Sequence, residues 1–571
     1  MSHSVPALWQ AIVWLYLGAA GILALGRRLP HWLRRPAAML VALLALRSLA
    51  GGGQVAFFWE PLNLFRMGPI LRPDGLSLLT GLTLSGITAA LALGVRGPSQ
   101  TAWHGLLLAV LAGGLFTVAA ANLLTLALGS ALIDLALLAL ALSAPRGQDR
   151  TLWRMAVPGL VSTYLLFLSA LRMDTQVGHA SLLPQGMPPD ALLLLSLAGL
   201  LRLMVFPLHP RRLATPQSAA LAALLAGVGI YLLARAESLG PVLAGRSWAW
   251  LIVAAALLAG GVMVWAGSVT ARKESLPGGV VQALLPGILV QQGGYALAFT
   301  LPVGGAIPWP LLSLPLIIAL LTIWWDGSLA REPGRRPAWV ERFLGWMDGM
   351  AERLRSVLIA RLPRLREAEK GHIVRQAMAL LPILALLAAV GAPLTVGARV
   401  RWPLYAHLLH TVSAPYLLVL LAADTLLVAG LPLAIATLWK KQSRPGAASS
   451  LALLALAFPL VLLGIAPGVV ERSVGLSSGP LPAVSVWGLG LVVILPWLVG
   501  VWLARYGDRA GRILTPLSSV VNLDWFYRAA DWVGKRLMGV PYWLGLVGEG
   551  DGWWGWALAI LALGVAFLAV R

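Results

Sequence analysis

Residues 193–235 read LLLSLAGLLRLMVFPLHPRRLATPQSAALAALLAGVGIYLLAR. An apolar stretch carries Arg202 in its second half, Pro207 follows, and His209, Arg211 and Arg212 form a basic exit. A second apolar stretch then runs back to Arg235. A charge at membrane depth costs about 2.5–3.5 kcal/mol on insertion scales, so it marks a site or a partner. A proline close by removes a backbone donor and frees a carbonyl, which hydrocarbon cannot satisfy. Charge beside an interrupted helix is a construction used by ion-handling helices of transporters. The pair therefore predicts a membrane protein with a polar site inside its helices, and Arg401, shortly after Pro393, predicts a second one.

Outward from this stretch the chain keeps the same character. Of its 571 residues 59% are hydrophobic and 11% charged, and the mean hydropathy of +0.82 excludes a soluble protein. Apolar runs of about 20 residues, enough to cross a bilayer, recur throughout. The absence of cysteine excludes disulfides, thiolate metal sites and iron–sulfur clusters. The net charge of +21 lies between hydrophobic runs, which argues for membrane topology and against nucleic acid. The first apolar segment lacks a basic front and is followed by more spans, which predicts a retained helix, not a cleaved leader.

Sixteen spans are expected, at 7–26, 37–59, 75–95, 102–121, 122–143, 155–173, 191–208, 215–235, 248–269, 277–301, 308–326, 376–398, 415–439, 448–467, 486–505 and 553–570. With the N-terminus outside, the inner connections hold 32 of the 43 Lys and Arg and the outer ones eight. Arg47 and Arg202 lie within spans, and Arg571 ends the chain. That bias fixes the orientation by the positive-inside rule, in the cell membrane. The expected divisions are a membrane part (1–326), a basic amphipathic cytoplasmic segment (327–375), a second membrane part (376–505), a second amphipathic segment (506–550) and a final span (551–571). The amphipathic segments, with motifs such as AWVERFLGWMDGMAERLRSVLIARL, suit helices lying at the interface. They are read as lipid-facing or as docking surfaces for another subunit.

Within the spans, Asp134 and Asp424 join Arg47 and Arg202, and Arg399 and Arg401 close the twelfth. Two readings stand: static ion pairs that fix helix register, or parts of an ion route. His407 and His410 share a helix face without a carboxylate near them in sequence, so no metal site is expected. No phosphate-binding loop, dinucleotide fingerprint or nucleophile elbow occurs in a fitting context, and no cofactor is expected.

LRPDGLSLL (71–79), NLLTLALGSALIDL (122–135), LLRLMVFPLHP with TPQSAALAALLAGVGIYLLAR, VQQGGYALA (290–298), GAPLTVGARVRW (391–402) and LDWFYR (523–528) stand in a fixed order along the chain. In that order they resemble the antiporter-like membrane subunits shared by respiratory complex I, Mrp-type sodium/proton antiporters and membrane-bound hydrogenases. The resemblance implies an all-α integral membrane fold of about 16 transmembrane helices. It also implies two inverted five-helix repeats containing broken helices, interrupted here near Pro207 and near Pro393, with amphipathic cytoplasmic helices besides. It implies a glutamate–lysine proton relay on the fifth and seventh helices. In this chain the glutamate position reads as Ala131, with Asp134 three residues on. The lysine positions on the seventh and twelfth helices read as Arg202 and Arg401, and the histidine position on the eighth falls near Ala222.

Arginine stays charged at physiological pH and cannot relay a proton as lysine can. Asp134, Arg202, Arg401, Asp424 and His209 are thus the candidates for ion handling. The implied function is a proton- or cation-translocating subunit of a complex I-like, Mrp-like or hydrogenase-like assembly, not catalytic alone. Its partners would be other membrane subunits and the lipid bilayer. A non-conducting structural subunit and a stand-alone secondary transporter are the alternatives.

Overall fold

The computed structural model describes residues 7–25, 31–50, 55–56, 70–96, 103–143, 149–177, 187–204, 213, 215–240, 243, 247–271, 277–299, 312–328, 367–392, 395–410, 414–440, 447–466 and 486–505. The chain divides into two units, 1–514 and 515–571, and the second lies wholly outside the described residues. So do Pro207, His209 and Pro393, most of the segment 327–375, and the last expected span.

The fold is all-helical in its membrane part. The first eight helices are α1 (Ala7–Leu25), α2 (His31–Ala50), α3 (Gly75–Gly94), α4 (Trp103–Val118), α5 (Leu123–Ser143), α6 (Asp149–Val177), α7 (Pro189–Arg202) and α8 (Pro216–Leu239). They are followed by α9 (Ser247–Ala271), α10 (Pro277–Phe299), α11 (Ser313–Ser328), α12 (Glu367–Val390), α13 (Val396–His410), α14 (Ala414–Lys440), α15 (Ala447–Ile465) and α16 (Val486–Arg505). Among the described residues seven helices are long and apolar enough to cross a membrane, from α3 (Gly75–Gly94) to α15 (Ala448–Ile465). In hydrocarbon a helix satisfies its own backbone, so these apolar runs have no competing fold. The chain is a multi-pass membrane protein.

Helix α8 is the central column, with 94% of its span buried against 44% for α15. Its start is fixed by Thr215, whose side chain accepts from Ser218 N in a reciprocal capping box, with Pro216 in the first turn. Around it pack α3, α4, α7, α10 and α11, while α9, α10 and α14 form a second packed group. Gly199 and Gly229 let α7 and α8 touch: a Cβ on Gly229 would lie 2.7 Å from Leu203 N. Small residues serve this purpose between membrane helices, which have no hydrophobic driving force of their own.

The second expected span is corrected. Helix α2 ends at Ala50, not 59, and Val55–Ala56 pairs antiparallel with Ile70–Leu71 as β1 and β2. Three consecutive glycines, 51–53, follow the helix in the sequence, and glycine is a poor helix former. The hairpin is tied to the α4–α5 corner by Arg72 N donating to Ala119 O (2.8 Å), Ala121 N to Ile70 O (2.9 Å) and Ile70 N to Thr125 Oγ1 (2.8 Å). These bonds place the start of α3, where Asp74 accepts from Ser77 N as N-cap. The expected twelfth span, 376–398, coincides with parts of two helices: α12 stops at Val390, Gly391 takes φ +76°, and α13 starts at Val396.

Candidate functional site

Arg202 is the last residue of α7, not a mid-helix residue, and its side chain is 1% exposed. Asp134 on α5 is equally buried. Arg202 Nη1 donates to Asp134 Oδ1 at 2.5 Å and Nη2 to Oδ2 at 3.2 Å, the two-pronged arrangement that guanidinium and carboxylate allow. Nη2 also donates to Thr163 Oγ1 on α6 at 3.0 Å and lies 3.4 Å from the Ser130 carbonyl. Thr163 in turn donates to Asp134 Oδ2 at 2.6 Å. The three helices α5, α6 and α7 thus share one closed network. Space for it comes from Gly159 on α6, where a Cβ would stand 2.6 Å from Asp134 Oδ1 and 3.0 Å from Arg202 Nη1. Within the network Arg202 Nε is left without a partner among the described residues.

The second site is assembled across the α12–α13 junction. Arg401 on α13 is 3% exposed, and its Nη1 stands 3.3 Å from Asp424 Oδ1 on α14. Its Nη2 donates to Ala389 O at 2.6 Å, capping a carbonyl in the last turn of α12, and its guanidinium lies 4.6 Å from the ring centre of Tyr295 on α10. The Tyr295 hydroxyl donates to Asp424 Oδ1 at 2.5 Å, and the Tyr405 hydroxyl donates to Oδ2. Gly391 is required twice over: φ +76° favours glycine, and a Cβ there would meet Arg401 Cδ at 2.6 Å. A cavity of about 10 Å³ touches Gly391, Arg401, Tyr405 and Asp424 and is lined also by Pro496 and Trp497 of α16. That is space for a single water.

Of the candidates named from the sequence, the structure joins Asp134 to Arg202 and Asp424 to Arg401. Ala131 is half-buried one turn before Asp134, and Ala222 is buried in α8. Arg47 belongs to neither site: it sits exposed in the last turn of α2. His407 is half-buried and His410 exposed at the end of α13. Helix α8 packs against α7 of the first site and α10 of the second. From Pro216 to Ile230 it carries no ionisable side chain.

Thr163, Tyr295, Tyr405, Gly159 and Gly391 are site residues that the sequence reading missed. Tyr405 carried a signal, since it lies one helical turn after Arg401. A third polar cluster closes the α3–α8 end, where Arg235 donates to Asp74 (2.7 Å), Ser77 (3.2 Å) and Tyr231 (2.9 Å). Burial raises the Asp74 carboxyl, but the hydrogen bond and charge of Arg235 and the bonds from Ser77 outweigh it and hold the carboxyl below its usual range.

Comparison with protein-family models gives no match, and neither does comparison with curated proteins. Solved structures do match. A chain of the Mrp complex from Dietzia sp. DQ12-45-1b aligns over 99% of this chain with a TM-score of 0.62 and 16% identity. This chain spans 63% of that one's length. A chain of respiratory complex I from Thermus thermophilus, solved with bound aureothin, gives 0.55 and 20% identity over 82% of this chain and 100% of that one. A chain of the membrane-bound sulfane sulfur reductase, an archaeal respiratory membrane complex, gives 0.60 and 15% over 97% and 99%. The class is thus a helical, multi-pass membrane protein. Its fold is that of the matched chains of these three membrane complexes, in keeping with the resemblance read from the sequence.

Proposed function

We propose that this chain is an antiporter-like membrane subunit of a multi-subunit complex, with Asp134–Arg202 and Asp424–Arg401 acting as fixed ion pairs, not as proton relays. The observation that carries this reading is the pairing itself. Each aspartate is held by an arginine and by hydroxyl groups, and guanidinium does not release its proton in proteins. Along α8 from Pro216 to Ile230, between α7 and α10, no ionisable side chain occurs. On this reading the interrupted helices near Pro207 and Pro393, the two inverted repeats and the full set of sixteen spans are retained from the shared fold. The arginines close the route that lysines would keep open. The N-terminus lies outside and the amphipathic segments 327–375 and 506–550 lie on the cytoplasmic side of the cell membrane, in keeping with the distribution of Lys and Arg.

A second reading, proton exchange at Asp424, is favoured by the cavity of about 10 Å³ beside it and by its two tyrosine donors. A water there would stand beside Asp424 as a proton-exchanging partner, whereas the cavity does not reach Asp134.

Affinity purification of the full chain in a mild detergent, followed by native mass spectrometry, tests the assignment to a complex. Other membrane subunits should accompany the chain at fixed stoichiometry. A species made of 60.4 kDa chains alone would overturn it.

A further inference from the structure

The last turn of α12 closes in a Schellman motif around Gly391. Gly391 N donates to Ala388 O at 3.1 Å and Ala392 N to Leu387 O at 3.0 Å. The next carbonyl, Ala389 O, would take the N–H of residue 393 in an unbroken helix, but residue 393 is proline and has none. Two buried side chains supply donors in its place. Arg401 Nη2 reaches it from α13 at 2.6 Å, and Gln292 Nε2 reaches it from α10 at 2.5 Å. A backbone carbonyl has two lone pairs, so it accepts from both at once. Packing holds this turn less firmly. The cavity beside Arg401 reaches Val390 and Gly391, and a second cavity of about 10 Å³ lies between Ala389 and Val390, Ile288 of α10 and Leu427 of α14. Side chains that line such voids forfeit part of their van der Waals contacts, which leaves the hydrogen bonds to place the turn. Gln291, next to Gln292 on α10, points to a different helix and donates to Ala423 O on α14 at 3.2 Å.

We propose that Gln292 is a positioning residue: it latches the end of α12 to α10 and so sets where the α12–α13 break lies against Arg401. Through the shared carbonyl, Arg401 is held at once by Asp424 and by the α12 terminus, and Gln292 keeps that terminus in place for it. With either donor gone the other still satisfies Ala389 O. With both gone a buried acceptor is stranded and the break opens. The latch concerns the break and does not rest on the proposed function.

The chain has no cysteine, so Ala392→Cys places a single thiol at the break. With the full chain in lipid nanodiscs, the rate of its alkylation by N-ethylmaleimide reads how often the break opens. Gln292→Met keeps the length of the side chain and removes the donor. It should speed alkylation about fivefold, the weight of one hydrogen bond. Gln291→Met loses a bond of the same kind to α14 and should change the rate by less than about twofold, which separates the latch from a general loss of stability. In an Arg401→Met background the step produced by Gln292→Met should grow to about thirtyfold or more, because Ala389 O then has no donor among the described residues. An unchanged rate in Gln292→Met, an equal rise in Gln291→Met, or a step no larger with Arg401→Met than without it would overturn the proposal. If the variant lacking both donors does not fold, the two single glutamine variants decide the matter.

Discussion

Removing one member of the Asp134–Arg202 pair separates a structural lock from an incidental contact. Asp134→Ala leaves a permanently charged guanidinium at 1% exposure with only Thr163 and the Ser130 carbonyl as hydrogen-bond partners among the described residues. Breaking a buried pair in this way costs about 3–5 kcal/mol, a few hundred- to a few thousand-fold in the folding equilibrium. Arg202→Ala should cost less. A carboxylate stranded in apolar surroundings can neutralise itself by taking up a proton, and a guanidinium cannot. The double variant leaves no charge behind, only lost packing, so it should recover part of the loss. The coupling between the two substitutions should reach about 2–3 kcal/mol, the upper end for residues in one network. The assay is unfolding of the purified chain in detergent, with the four proteins compared as a cycle. Additivity within about 0.5 kcal/mol would refute the reasoning, because independent sites behave so.

Further outcomes follow from the same geometry. Gly159→Val should displace the pair, since its Cβ would already stand 2.6 Å from Asp134 Oδ1, and should cost about 1–3 kcal/mol in the same unfolding assay. Tyr295→Phe and Tyr405→Phe each remove a hydrogen bond to the Asp424 carboxylate and should each cost about 1.5–3 kcal/mol, while Tyr416→Phe, outside the network, should be near neutral. Cysteine at Ser2 should react with an impermeant thiol reagent on intact cells and cysteine at Ser356 should not, and the reverse pattern would invert the topology.

Much of the architecture was legible from a single rule, that hydrocarbon leaves helices as the one ready way to satisfy a backbone. The same rule exposed Asp134, Arg202, Arg401 and Asp424, because a charge inside an apolar run stands out against its neighbours. Their neutral partners were hidden for the converse reason. Thr163, Tyr295 and Tyr405 look like ordinary residues of apolar helices until the fold brings a carboxylate to their hydroxyls. Gly159 and Gly391 were two among 61 glycines, and only the approach of a side chain from another helix, or a positive φ, sets them apart. The second span was read too long because its apolar run continues through Phe57, Phe58 and Trp59. The pairing of Val55–Ala56 with Ile70–Leu71 is a long-range contact that no local pattern reports.

The claim that neither pair passes a proton is tested most directly by potential-driven proton uptake into vesicles. These should contain the chain within the assembly it purifies with, and uptake should be normalised to the amount of intact assembly. Asp134→Asn and Asp424→Asn remove the carboxylates that the two sites hold among the described residues while keeping their shape. The account predicts the same flux as the unaltered assembly for both. A tenfold or greater loss in Asp134→Asn, with the assembly intact, would contradict it, and a loss confined to Asp424→Asn would replace it with proton exchange at the second site.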